Sequence, residues 1–381
     1  MPELWQERGF GLYVHWPFCA AKCPYCDFNS HVRKSVDQGR WAEALAKEIA
    51  YWREKTGPRV LSSIFFGGVT PSLMEPETVE IVLRAAHDAW AFSNRIEISL
   101  EANPTSVEAD RFRSYAALGV NRVSLGVQAL NDADLQRLGR LHNAAEARRA
   151  FELARQHFDR VSFDLIYARQ DQSLSDWKRE LSEALDLAVD HLSLYQLTIE
   201  DGTAFGDRFA RGALKGLPSD NLGADLWDVT QELCEAAGYT AYEVSNHAKP
   251  GAESEHNLIY WRGGDYVGIG PGAHGRVSIE CHRYATESWK NPEKWLTEAE
   301  NGVATNVKSR LHQQDVEYER LIMGLRLTEG LYVADVINVL DTHRVEEMTA
   351  DGLLWRSENK IGATKTGRAV LNHLITQCVK P

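Results

Sequence analysis

The chain has 381 residues, of which 44% are hydrophobic, with six cysteines and a formal net charge of −12. That length supports one large α/β domain and a small second one, and six cysteines are too few for a disulfide scaffold. The acidic balance argues against phosphate backbones as partners, so no nucleic acid is expected, and no apolar run is long enough to span a membrane. The opening stretch MPELWQERGF is charged at once and has no apolar signal core, so a reducing, cytoplasmic setting is expected.

In chain order, FGLYVHW (10–16), LSSIFFGG (61–68), RIEISLEA (95–102), RVSLGVQA (122–129), RVSFDLIY (160–167) and HLSLYQLTIE (191–200) read as strands. Helical pattern fills the gaps, at about 36–54, 76–90, 106–118, 143–156 and 175–188. Six β/α units with nearly continuous apolar strands imply a parallel sheet covered by helices. An open doubly wound sheet is compatible, but the fold expected is a partial (β/α)6 barrel. Either way, chemistry belongs at the C-terminal ends of the strands. After residue 200 the pattern loosens. A helix near 221–237 leads to YTAYEVSNHA and EHNLIYWRGGDYVGIGPGAHG, where Gly and Pro mark loops. ENGVATNVKSR, from 300, reads as a linker. The tail from 311 reads as two or three helices and a short hairpin, a small winged-helix-like module. The domains expected are 1–300 and 301–381.

HWPFCAAKCPYCDFNSH places Cys19, Cys23 and Cys26 at C-x3-C-x2-C spacing. Thiolates are soft ligands for zinc, copper(I) or iron–sulfur clusters. A closed zinc site needs a fourth ligand, for which His15 and His31 flank the cluster. Cys234, Cys281 and Cys378 are isolated. Covalent haem needs C-x-x-C-H, and Asp27 follows Cys26. Three structural cysteines form the blandest reading. A 4Fe–4S cluster on three thiolates, with one iron open, is the remaining one.

The spacing closely resembles the signature of the radical S-adenosylmethionine (SAM) superfamily. The resemblance implies a 4Fe–4S cluster on Cys19, Cys23 and Cys26 whose open iron takes the amino and carboxylate groups of SAM. One electron then cleaves a carbon–sulfur bond and releases a deoxyadenosyl radical; the cofactor carries the chemistry and the protein positions it. FFGGVTPS resembles the family's GGGTPS loop, which implies Gly67, Gly68 and Thr70 at the methionine end of SAM. Val69 stands at the third glycine, and its bulk is expected to weaken SAM binding. Tyr25 matches the aromatic position by the adenine. Glu101 in SLEANP, Gln128, Arg140, Asp164 in FDLIY and Tyr13 in YVHWPFC complete the cofactor-binding set that the resemblance implies. Carboxylates suit ribose hydroxyls and an ammonium, and Arg140 suits the cofactor's carboxylate.

Over nearly the whole chain the sequence resembles the HemN/HemW group. Its oxidase branch, a coproporphyrinogen III dehydrogenase, has a further cysteine where this chain has Phe28, and a longer N-terminal arm. Both departures count against porphyrinogen decarboxylation. HNLIYW, His256 to Trp261, matches the H-N-x-x-Y-W signature of the haem-chaperone branch. That match implies haem as a ligand, with His256 the candidate axial ligand, and haem-dependent respiratory enzymes as recipients. An electron donor for the cluster is implied, and transient membrane contact during delivery is compatible with the role. Without the family, His256 would read as a satisfied loop histidine.

Overall fold

The computed structural model describes residues 4–105 and 111–380. Six strands follow one another in chain order and in space: β1 (Phe10–Trp16), β2 (Val60–Gly68), β3 (Ala91–Ala102), β4 (Arg122–Gln128), β5 (Arg160–Tyr167) and β6 (His191–Gln196). Each neighbouring pair is parallel. The connections carry helices α1 (Gln38–Thr56), α2 (Pro76–Ala89), α3 (Phe112–Ala117), α4 (Ala144–His157) and α5 (Leu174–Leu187). The helix expected over 106–118 begins on residues 106–110, outside the described residues. Local chemistry sets the helix starts: Asn143 and Glu146 form a reciprocal capping box on α4, and the Ser173 hydroxyl accepts from Asp176 N–H on α5.

The sheet does not stop at six strands. β7 (Thr240–Ala241) and β8 (Asn246–Ala248) extend it antiparallel beyond β6. On the other side β9 (Asp265–Ile269) runs parallel to β1, followed by antiparallel β10 (His274–Ile279), β11 (His282–Ser288) and β12 (Thr305–Arg310). Twelve described strands thus form one sheet. Two expectations change here. The loops read after residue 237 hold short strands and helix α7 (Glu255–Trp261), lengths at which flanking glycines mask periodicity. The expected linker includes β12, an exposed edge strand paired with β11.

The strands are also not continuously apolar. They alternate, and the two faces have different partners. Leu12, Ile64, Ile98, Val123 and Val161 are buried against the helices. The alternate residues line a polar concave face: Gly11 pairs in register with Ser63 and Ser63 with Glu97, and Glu101 with Ser124 and Ser124 with Ser162. Across that face Arg160 of β5 reaches Glu97 of β3, at 3.1 Å, past the intervening β4. The sheet is therefore curled into the expected partial barrel.

The chain continues through α6 (Asp220–Ala236), which packs on α5, and α8 (Pro292–Glu300), whose Trp295 stacks on Trp41 of α1 at 5.0 Å. The tail supplies α9 (Gln313–Gly324), β13 (Leu331–Tyr332), α10 (Thr342–Ala350), β14 (Leu354–Arg356), β15 (Lys360–Ala363) and α11 (Leu371–Cys378). Its three strands form a separate antiparallel sheet, β13–β15–β14, over a core of its own that includes Leu321, Val345 and Ile361. Helix, strand, helix and hairpin in that order make the winged-helix-like module.

Candidate functional site

At the C-terminal ends of the strands lies a cavity of about 370 Å³. Cys19, Cys23 and Cys26 all border it. The loop that carries them leaves β1 and is held by a short parallel pairing of Phe18–Cys19 with His31–Val32. A turn closes it, with Cys26 N–H donating to Cys23 carbonyl at 3.1 Å. Gly139 packs against it at positive φ; a Cβ there would stand 2.6 Å from Pro24. Burial, and then the neighbouring thiols of Cys26 and Cys23, push the Cys19 thiol above its ordinary value. Burial likewise pushes the Cys26 thiol up, and a buried thiol ionises readily only beside positive charge or metal.

Arg140 reaches the same wall from the loop after β4. It donates to Cys23 Sγ and Tyr25 hydroxyl, each at 3.4 Å, to Gly126 carbonyl at 2.9 Å, and to Asn103 Oδ1. Its Nε has no partner among the described residues. Glu101 and Asp164 face the cavity from β3 and β5. Burial, then the Asp164 charge, push Glu101 up to about 8. Burial likewise raises Asp164 to about 6, against the hydrogen bonds from Ser193 and Ser124. Two carboxyls close together in low dielectric each resist ionisation, and a cationic ligand would reverse this.

Gln128 holds a left-handed backbone, φ 70°, at the strand end, a strained conformation of the kind found at ligand sites. Gly68, φ 111°, could not carry a Cβ: it would meet His15 Nδ1 at 2.8 Å and the Trp16 carbonyl at 2.9 Å. Gly67 is equally constrained, since a Cβ would meet Tyr13 and Phe65 at 2.8 Å. Val69 also lines the cavity and donates to the Trp16 carbonyl at 3.0 Å. Its φ is not among the positive ones, so valine adds bulk there without backbone strain. Thr70 accepts from Asn103 Nδ2 at 3.1 Å.

The structure thus brings Cys19, Cys23, Cys26, Tyr25, Gly68, Thr70, Glu101, Gln128, Arg140 and Asp164 to one cavity. Tyr13 and Gly67 are not on its wall. Tyr13 packs beneath the glycine loop, its hydroxyl 2.9 Å from His15 Nδ1. His31 is 3.1 Å from Asn29 Oδ1. Among the described residues no three His, Cys, Asp or Glu side chains gather tightly enough for a single metal ion. Three thiols on the wall of one cavity are a soft donor set that suits an iron–sulfur cluster. Sequence reasoning missed Asn103, Ser124, Tyr195 and Gln196, which also line the cavity. Asn103 directly follows the quoted Glu101–Ala102 pair, and Tyr195 and Gln196 end β6, so the strand-end rule had the signal.

His256 lies elsewhere. It sits on α7, fully buried, with its ring against Ser63 of β2. Its Nδ1 is 2.6 Å from Ser63 Oγ and its Nε2 is 2.5 Å from the Tyr260 hydroxyl. Its ring stacks on Phe65 at 5.0 Å. Burial pushes it down to about 3, so the ring is neutral. Ser63 precedes Gly68 by five residues along β2, roughly 16 Å at strand rise. The Glu97 carboxylate ties α7 down, accepting from the Ser254 hydroxyl and from the Glu255 and His256 N–H groups.

A family model described as the radical SAM superfamily matches residues 13–184. The chain is 37% identical to heme chaperone HemW of Escherichia coli, over 96% of each chain. It is 42% identical to heme chaperone HemW of Haemophilus influenzae, over 78% of this chain and 77% of that one. A mouse relative, radical S-adenosyl methionine domain-containing protein 1, mitochondrial, is 38% identical over 98% of this chain and 88% of its own. The solved coproporphyrinogen III oxidase HemN of E. coli superposes with a TM-score of 0.80 over 97% of this chain and 89% of that one, at 22% identity. That likeness concerns the fold.

Proposed function

The chain belongs to the radical SAM family of the HemW/HemN type, which implies a 4Fe–4S cluster and SAM, and from there we propose that it is a haem chaperone. It binds haem and hands it to haem-dependent respiratory enzymes. What carries the reading is end-to-end similarity to relatives that bear the chaperone name. A local feature supports it: the thiol wall continues into Phe28, without a fourth cysteine. No described helix is long and apolar enough to cross a membrane, and we place the protein in the cytoplasm, touching the membrane only at delivery.

In this reading Cys19, Cys23 and Cys26 hold the cluster, which supplies one electron to SAM when both are bound. Arg140 would hold the SAM carboxylate, and Glu101 and Asp164 would meet its ammonium and ribose hydroxyls. Gly68 would let the backbone approach the ligand, with Thr70, Gln128 and Tyr25 lining the same cavity, while Gly67 leaves room for Tyr13 and Phe65 behind that wall. Tyr13 supports the glycine loop from below. Ligation of haem iron through His256 Nε2 would require its hydrogen bond to Tyr260 to open, and so a displacement of Tyr260.

The test is a haem titration of anaerobically reconstituted protein, followed by mixing with a haem-free respiratory enzyme. A saturable Soret shift, then transfer of the spectrum to the recipient, is the expected result. Anaerobic decarboxylation of coproporphyrinogen III, without transfer, would replace the chaperone with the dehydrogenase.

A further inference from the structure

Away from the thiols, a cavity of about 140 Å³ lies between α7, the β9–β10 pair and α9. Tyr260 and Trp261 come from α7, Tyr266 and Arg276 are cross-strand partners, and Arg320 and Met323 come from α9. The walls are aromatic and apolar, with three arginines, Arg276, Arg283 and Arg320, and one carboxylate, Glu319, set into them; cations outnumbering the acid in an apolar wall suit an anion on an apolar body.

The charge around it is unbalanced. Arg8 and Arg320 share Asp335, at 2.7 and 2.9 Å. Arg59 and Arg283 share Asp265, at 2.6 and 2.9 Å. Arg276 pairs with Glu319 at 2.6 Å. Five arginines thus divide three carboxylates, in a chain whose net charge is −12. Buried charge is ordinarily matched, because an unmatched one is costly. Arg326, over the Trp261 ring at 4.7 Å, pairs with Glu243 at 3.6 Å and leaves the imbalance as it is. Two lining residues also carry a buried N–H without a partner among the described residues, Arg320 Nε and Trp261 Nε1. The Arg320 side chain is only 9% exposed. Burial, and then the charge of Arg8, push it down to about 10. An anion beside the guanidinium would raise it again.

We propose that this cavity is an anion site that takes a carboxylate on a short alkyl arm, with Arg320 and Arg276 as donors. The volume admits such an arm and excludes a porphyrin ring. Resting on the haem reading, the source of that arm is a haem propionate, which brings the macrocycle to Tyr260.

The full-length chain is tested with two probe pairs. The first is 3-phenylpropionate against 3-phenylpropanamide, its neutral counterpart, read by thermal shift. The acid is expected to stabilise the wild type and the amide not. Arg320→Gln and, independently, Arg276→Gln should remove the acid's effect, and Arg320→Lys should retain part of it. Equal effects of acid and amide, or an acid effect surviving in both glutamine variants, would overturn the site. The second pair is haem against its dimethyl ester, read at the Soret band. Wild type should prefer haem by about tenfold or more, the scale of a charge-assisted hydrogen bond, and Arg320→Gln should lose that preference while still binding ester. A preference that persists in Arg320→Gln would overturn the propionate as the source. Failure of haem and ester alike to bind would sink the chaperone reading, while the phenylpropionate arm would still decide the site.

Discussion

The Tyr260 hydroxyl stands 2.5 Å from His256 Nε2, and the same tyrosine forms part of the wall of the arginine-lined cavity. It therefore separates the histidine from that cavity. If haem iron reaches His256 when Tyr260 is displaced, removing the hydroxyl lowers the cost of opening. Tyr260→Phe should tighten haem binding by about fivefold, the worth of roughly one net hydrogen bond. His256→Ala should lose the histidine-type Soret position. It should also cost about 2–4 kcal/mol of stability, from the lost stacking and two stranded hydroxyls, so circular dichroism must accompany the titration. An unchanged spectrum in folded His256→Ala would move the ligand elsewhere.

The three thiols are predicted to act as a unit. Replacing any one of Cys19, Cys23 or Cys26 by serine should abolish stable cluster reconstitution, read as loss of bound iron and sulfide. Cys234, buried and pushed up to about 12 by burial, is the control. Cys234→Ser should leave the iron content unchanged.

Val69 offers a test of bulk alone. Because valine meets no backbone strain there, Val69→Gly changes chiefly the space beside Gly68. SAM affinity of the reconstituted protein should rise several-fold by calorimetry, and an unchanged affinity would show that the missing glycine is without consequence.

The carboxyl pair sets a pH dependence. Glu101, at about 8, and Asp164, at about 6, are raised above their unfolded values of 4.5 and 3.8. Raised carboxyls favour the folded state at low pH, and that contribution is lost as pH climbs through 6 and 8. Binding a cation at both reverses the shifts. SAM should therefore bind more tightly as pH rises from 6 to 8, releasing about one proton near pH 7, since the pair holds about one there. Calorimetry in two buffers of different ionisation enthalpy measures that proton. Glu101→Gln should reduce the release.

The six parallel strands were legible because each is a separate run of β-formers between turn residues, and observed bounds such as Phe10–Trp16 and Arg160–Tyr167 coincide with the runs. Their alternation was misread, because serine and glycine at inward positions look weakly apolar in a short window. β6 ends at Gln196 rather than 200, where the chain leaves the sheet to border the cavity. The cavity residues were legible through motif and strand end together. The environment of His256 was not, because its partner Ser63 is 193 positions away in sequence, and no local pattern encodes that pairing. The arginine-lined cavity was invisible for the same reason: its walls come from α7, a hairpin and α9.

β12 carries a consequence for solution behaviour. Its sequence is TNVKSR, and its described residues are mostly exposed. Such an edge presents unpaired N–H and carbonyl groups on which a foreign strand can grow. Here Lys308 lies over the Tyr284 ring, at 4.6 Å, and Arg310 ends the strand. Two positive charges make the edge repel a copy of itself. The opposite edge, β7, is only two residues long. The sheet is thus guarded against amyloid-like stacking at one end by charge and at the other by brevity.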